Sequence, residues 1–454
     1  MPMCRAAAGA GRHAQGCGAN ALRALREAAA AAVDHEVAVR RGVSDPSNIA
    51  LPAVTGRTDP PARRRVRIAA VIRRALAVAA LVVGVFASPG HAAQPYNVSY
   101  HAFALPSGGV TFANSGGEWT SPWFQTGFGF RELVASWNAD TPAGTWIQVE
   151  MRGTTDKGAT TKWYVMGKWA FGDGDIQRTS IGGQGDQDGY VSIDTFFAKD
   201  HPLTAYQLRA TLFRLAGSTA TPTVRRLGAV ASDPINSNPY VPGGLGGAEG
   251  IDLRVPTYSQ EIHAGEYPAF DGGGEAWCSP TSTSMVVGYW NRGPAPADYA
   301  YVYGDYPNVV DPWVDYAARY TFDYHYQGAG NWPFNTAYAA HFGLDAFVTQ
   351  LHGLTEAEQF IKAGIPLVAS IAFQPNKLDN FLFRGTDGHL LVIGGFTESG
   401  DVISYDPAAT DDASVRRVYN RAQFEKAWMT ATGGIVYVIH PPSVPLPPSP
   451  LGNW

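Results

Sequence analysis

From Gln94 to about Ser232 apolar and polar residues alternate in short runs. In Thr145–Arg152, Ile147, Val149 and Met151 fall on one side of an extended chain and Gln148, Glu150 and Arg152 on the other, the period of a half-buried strand. Tyr206–Leu212 repeats the pattern. Turn-forming stretches such as Gly172–Asp175 and Gly182–Gly189 separate the runs. Short strands joined by tight turns predict an all-β antiparallel sandwich of jelly-roll type over residues 94–232.

The period then changes. Residues 233–250 concentrate Pro, Gly and Asn with no apolar repeat and read as a linker. Over residues 251–441 the spacing turns mixed, which predicts an α+β domain. A helix is expected just after Cys278, where Pro280 suits a first turn and Met285, Val286, Tyr289 and Trp290 recur at helical spacing. A second is expected from a capping box, Thr355–Glu358, to Gly364. Pro366–Phe373, His389–Phe396, Val402–Asp406 and Ile435–His440 read as strands, with a helix at Arg421–Met429. Residues 442–454 are Pro-rich and read as a loose tail.

Length and composition add an export signal. A chain of 454 residues exceeds one ordinary core, and residues 1–93 are Ala- and Arg-rich and nearly free of aromatics. Within them a basic stretch, Arg63–Arg74, precedes an apolar run, Ala75–Ala87, and a small-residue site at His91, Ala92 and Ala93. That is the form of a cleaved secretory signal, and the run is short for a membrane span. The polar preface before it has no part in such a signal, which suggests a translation start placed too far upstream. Processing would remove 13 Arg against 5 acidic residues and take the formal charge from −5 to −13. So acidic a product offers no footprint for nucleic acid or anionic membrane. A secreted monomer, with no membrane attachment after cleavage, is expected.

Cysteine gives the candidate chemistry. Cys4 and Cys17 lie in the leader, so the processed chain would hold Cys278 alone and no disulfide. A lone exported thiol is usually either deeply buried or catalytic. Gly272–Ser284 sets a flexible Gly loop before Cys278 and a helix after it, and a helix N-terminus favours a thiolate. The same pattern suits a small buried residue closing a helix start. His389 heads the apolar run to Phe396 and is the candidate base, although a histidine flanking a strand needs no such role. Asp406 ends the next strand, where antiparallel pairing can set its carboxylate beside the ring; Asp-Pro also favours plain turns. No His/Cys pair has zinc spacing, the turns near Asp186 do not follow the calcium-loop pattern, and no Gly-rich phosphate loop is present, so no metal or cofactor is expected.

The order Cys278, His389, Asp406, with Cys-Ser-Pro-Thr-Ser opening a helix, Gly-His-Leu opening a strand and Asp-Pro closing one, resembles the stand-alone secreted relatives of the bacteriocin-processing, double-glycine-type cysteine peptidases, family thirty-nine of the papain superfamily. The resemblance covers about residues 251–441. It implies a papain-like fold, Cys278 as nucleophile, His389 as base and Asp406 as the residue orienting that base, with peptide bonds as substrate. Such enzymes usually place a Gln six residues before the Cys to bind the oxyanion; here that position is Gly272. The residues themselves support acyl or amide hydrolysis, cell-wall amides included. The rival is a surface protein with a weak or inactive C-terminal half, whose sandwich binds cell wall or carbohydrate through aromatics such as Trp137, Trp146, Trp163 and Trp169. Gly330–Asn335 and Trp277 are candidates to line a cleft, or core aromatics.

Overall fold

The computed structural model describes residues 97–234 and 242–454. The predicted leader lies outside the described residues. Among those residues, no helix is long and apolar enough to cross a membrane.

The N-terminal region is sheet-rich, as its alternation predicts. Strands β1 (Val98–Ala102), β10 (Thr223–Ser232), β4 (Glu132–Asp140), β8 (Thr195–Ala198) and β7 (Gly189–Ser192) lie in that order in one antiparallel sheet. The second sheet runs β2 (Glu118–Thr120), β9 (Leu203–Arg214), β5 (Thr145–Thr155), β6 (Tyr164–Trp169), with β3 (Phe124–Phe130) also on β9. Both sheets bury one face in a common core. Ile147, Val149 and Met151 of β5 are fully buried there with Leu133, Ala135 and Trp137 of β4. Each large apolar side chain so buried stabilises by about 1.5–3 kcal/mol, before conformational entropy is counted.

Strand β4 is buried on both faces, which its sequence does not announce. Leu133, Ala135, Trp137 and Ala139 point into the sandwiched core, whereas Val134, Ser136 and Asn138 meet the C-terminal region. There the side chain of Asn138 donates to the Ala346 carbonyl (2.6 Å) and accepts from the Ala346 N–H (3.3 Å). Two polar side chains are tolerated inside because main-chain groups of the neighbouring strand satisfy them.

That neighbour, β11 (Asp345–Gln350), is the edge of a six-stranded antiparallel sheet of order β11, β16 (Ile435–His440), β12 (Leu367–Phe373), β13 (Thr386–Phe396), β14 (Val402–Tyr405), β15 (Arg416–Tyr419). After α1 (Phe112–Ser115) in the N-terminal region, the helices are α2 (Cys278–Tyr289), α3 (Ala300–Asp305), α4 (Pro312–Thr321), α5 (Trp332–His341), α6 (Leu354–Lys362) and α7 (Arg421–Thr432). Helix α2 packs on β13 and against α4 and α5, and α5 packs against both β4 and β11. The guanidinium of Arg178, fully buried, donates to the carbonyls of Ala170 and Phe171 and, across the joint, to those of Arg319 and Phe322 at the end of α4.

Three local expectations change. Helix α6 begins at Leu354 behind an uncapped Gly353, so the Thr355–Glu358 signature does not cap it. Thr355 instead donates to the Gly244 carbonyl, and the buried Glu358 accepts from the N–H groups of Gly246 and Ala248. A tertiary acceptor has taken Thr355 and tertiary donors Glu358, both members of the local box. The Pro-rich tail is tied down: Asn453 is fully buried, its amide donating to the Gln350 carbonyl and to Glu356, and Trp454 packs on Phe360. Strand β13 starts three residues earlier than predicted, so His389 sits inside the strand and not at its mouth.

Candidate functional site

Helix α2 opens at Cys278, and the loop before it is shaped by left-handed residues: Asp271, Gly272 and Gly273 have φ of 60°, 88° and 120°. Gly274 follows where a Cβ would run into the main chain of Gln260 and His263, so the loop passes close against the 3-10 turn Glu261–His263. Trp277 precedes the helix fully buried, its indole N–H on the Phe270 carbonyl (2.7 Å). The polar run after Cys278 faces inward, and three of its side chains are held: Ser279 meets the Tyr437 hydroxyl (2.9 Å), Ser282 donates to the Leu390 carbonyl (3.1 Å) and Thr283 to Asn335 (3.2 Å). The Ser282 bond fastens the start of α2 to the residue after His389.

Strands β13 and β14 pair antiparallel with Val392 opposite Tyr405, which carries Asp406 toward Leu391, two residues from His389 on the same face. The His389 Nε2 accordingly meets Asp406 Oδ1 at 2.8 Å. The same Asp406 oxygen accepts from the Ala408 N–H (3.0 Å), and its other oxygen accepts from the Tyr419 hydroxyl (2.6 Å). The Cys278 sulfur lies near enough to the same imidazole to raise its affinity for a proton, and with Nε2 taken by Asp406, Nδ1 is the nitrogen left for it. Phe381 sets its ring at 5.6 Å, edge to face with His389. The three predicted residues are thus brought together, with Cys278 7%, His389 4% and Asp406 0% exposed.

Electrostatics bind the group further. Burial would depress the His389 imidazole, but the Asp406 carboxylate and then the Cys278 sulfur outweigh it and push it up to about 10. Burial likewise opposes the Asp406 charge, yet His389, Tyr419 and the Ala408 N–H hold its carboxyl below the ordinary range. Asp271, a concern for any negative charge forming at Cys278, is turned to the Ala329 N–H (3.1 Å) and pushed up to about 7 by burial.

Sequence spacing missed Gln260. Gly272 does stand six residues before the sulfur, but Gln260, farther upstream, donates its amide to the Glu275 carbonyl (2.7 Å) and its N–H to the Pro407 carbonyl (2.8 Å). It therefore links the loop leading into Cys278 to the residue after Asp406, with its own Oε1 buried and unpartnered. The loop between Gln260 and Cys278 hides it from a search at fixed spacing. Of the predicted cleft residues, Trp277 is core, Asn331 caps α5, and Trp332 lines a cavity of about 1080 Å³ between the two regions. Glu132 and Phe197 from the N-terminal sheet and Phe373, Thr386 and Asp387 from β12 and β13 line it as well. Neither Cys278 nor His389 reaches it, so it adjoins the strand of His389 and does not contain the sulfur.

No curated protein matches the chain. Among solved structures it is similar to a candidate C39-like peptidase from Bacillus anthracis, at 17% identity over 41% of this chain and 96% of that one, with a TM-score of 0.26. It is also similar to infectious bursal disease virus, Gt strain, and to the VP2 subviral particle of that virus, each at 12% identity and a TM-score of 0.16 over 31% of this chain, covering 32% and 31% of theirs. Likenesses at these scores carry nothing further. Residues 91–232 match the peptidase C39 N-terminal domain and residues 252–436 the Peptidase_C39 like family. The chain thus joins a peptidase C39 N-terminal domain and a Peptidase_C39 like domain in one polypeptide.

Proposed function

We propose that the chain is an exported, papain-like cysteine hydrolase, in which Cys278 attacks a peptide or other amide carbonyl, His389 moves the proton and Asp406 orients the ring. The observation that carries this reading is the buried imidazole of His389, bonded to Asp406 and close enough to the Cys278 sulfur for the sulfur to raise its affinity for a proton. With the His389 imidazole raised to about 10, Nδ1 already holds the proton at neutral pH, so the sulfur adds to the carbonyl carbon as the thiolate of a Cys278–His389 ion pair, and the oxyanion forms beside the open N–H groups at the start of α2. The tetrahedral adduct collapses, the C–N bond breaks, and the amine leaves with the proton from His389. Water then gives a proton to His389 and adds to the thioester, and the Sγ–C bond breaks to release the acid and restore the thiolate beside the imidazolium. Asp406 keeps Nε2–H engaged throughout and stabilises the imidazolium.

The adjoining cavity supports a polymeric substrate, because it gives room beyond the scissile bond and is walled by both domains. Export rests on the signal pattern ending near Ala93, and N-terminal sequencing of the secreted product tests it. The binding-module alternative loses support from its own aromatics. Trp137 and Trp169 are core, and Trp163 is covered by the guanidinium groups of Arg152 and Arg209 at 4.6 and 4.4 Å.

The deciding experiment compares wild type with Cys278→Ala on a library of peptides and peptidoglycan fragments. Turnover falls by at least about a thousandfold while the fold is retained. Iodoacetamide labelling at pH 6 no faster than free cysteine would instead favour the binding module.

A further inference from the structure

Beneath the loop that carries Cys278 lies a second constellation, one that the proposed hydrolysis does not use. His263 ends the turn Glu261–His263, Glu266 follows three residues later, and Asp315 comes from the first turn of α4. His263 Nδ1 stands 2.8 Å from Glu266 Oε2 and 3.1 Å from Asp315 Oδ2, and the three ligand-type atoms lie within 4.8 Å of one another. His263 and Asp315 are fully buried, and Glu266 is 16% exposed.

Asp315 is the telling member. Neither of its oxygens has a hydrogen-bond partner, for the close approach to His263 lacks hydrogen-bond alignment. A fully buried carboxylate left without an aligned hydrogen bond is costly, by several kcal/mol, unless a cation compensates it, and either a protonated His263 ring at 3.1 Å or a metal ion in that proton's place can do so. Two carboxylate oxygens and one imidazole nitrogen aimed at one point are a donor set for a divalent transition ion. Calcium and magnesium prefer six or more oxygens, whereas zinc takes one His with Asp and Glu and holds its ligands about 3.3 Å apart. The two separations from His263 Nδ1, 2.8 and 3.1 Å, need to open by a few tenths of an ångström to accept it.

We propose that His263 Nδ1, Glu266 and Asp315 form a zinc site, with the fourth position open to water on the partly exposed Glu266 side. Its effect is structural. The ion would tie the turn Glu261–His263 to α4, whose Val314 and Ala318 pack on Trp277, the residue before Cys278. The His263 ring itself lies 6.1 Å from that of Trp277. A search for His/Cys pairs passes over such a site, because two of its three ligands are carboxylates.

The test uses the full chain, purified without a histidine tag or chelator and compared with Glu266→Gln and Asp315→Asn. Elemental analysis after dialysis should find about one zinc per wild-type chain and almost none in either variant. Chelation should lower the wild-type Tm by about 5 °C, restored by added zinc, and leave the variants unmoved. Glu266, partly exposed, keeps the comparison possible if Asp315→Asn does not fold. The proposal is overturned if stripped wild type takes up no zinc with its Tm unchanged, which would leave a proton on His263 as the occupant. It is equally overturned if the variants bind as much zinc as wild type.

Discussion

The hydroxyl of Tyr419 donates to the Asp406 oxygen that His389 leaves free, at 2.6 Å and out of contact with solvent. The carboxylate is thereby gripped from two strands, β13 through His389 and β15 through Tyr419. A buried charge with every donor in place holds one orientation, and the ring it partners inherits that orientation. Tyr419→Phe removes a charge-assisted bond without opening a cavity. Stability should fall by about 2 kcal/mol in denaturant unfolding, with kcat/KM down less than about tenfold, since the His389 bond survives. An unchanged unfolding midpoint would show that the hydroxyl does not support the carboxylate.

The raised His389 imidazole fixes a pH dependence. A histidine whose affinity for its proton rises on folding stabilises fully below its unfolded value near 6.5, and that contribution is lost as pH climbs through the folded value, about 10. If the imidazolium is the form that protonates the leaving amine, the alkaline limb of kcat/KM falls near pH 10 as well. Asp406→Asn takes away the largest raising influence and should bring that limb down toward neutrality. A wild-type limb near pH 6.5 would contradict the geometry.

Much of this was legible where local pattern and tertiary demand agree. Ile147, Val149 and Met151 alternate because one sheet face is core, and the succession of β13 and β14 lets His389 and Asp406 be paired from sequence. Legibility failed where a residue serves a distant partner. Glu358 carries a helix-cap signature but is claimed by the N–H groups of Gly246 and Ala248, and the polar Ser136 and Asn138 carry no sign of the domain that covers them. Gln260 and Asp315 have no local signature at all, since their neighbours come from separate segments.

The joint between the domains should be cooperative. Arg178 satisfies two carbonyls in its own domain and two at the end of α4, and helix ends leave such carbonyls without internal partners. Arg178→Ala orphans all of them inside the molecule and should cost roughly 4 kcal/mol. Calorimetry should show one transition in wild type and two in the variant as the domains uncouple. A single transition at the wild-type midpoint would mean the joint is held elsewhere, for instance by Asn138 on Ala346.

Gln260 offers the sharpest separation of positioning from plain stability. Its amide holds the Glu275 carbonyl three residues before Cys278, while its N–H holds Pro407 beside Asp406, so one residue sets the spacing between the sulfur's loop and the carboxylate's. Gln260→Ala deletes the first link and keeps the second. The sulfur's loop should then sample positions from which attack is misaligned, a loss felt in the transition state more than in substrate binding. We expect kcat to fall by about a hundredfold, with KM changed less than about threefold. Unfolding should shift by about 1 kcal/mol, the ordinary loss for one neutral hydrogen bond. A variant with that same stability loss but wild-type kcat would reduce Gln260 to a structural residue and leave the alignment of Cys278 to α2 and the Ser282 bond.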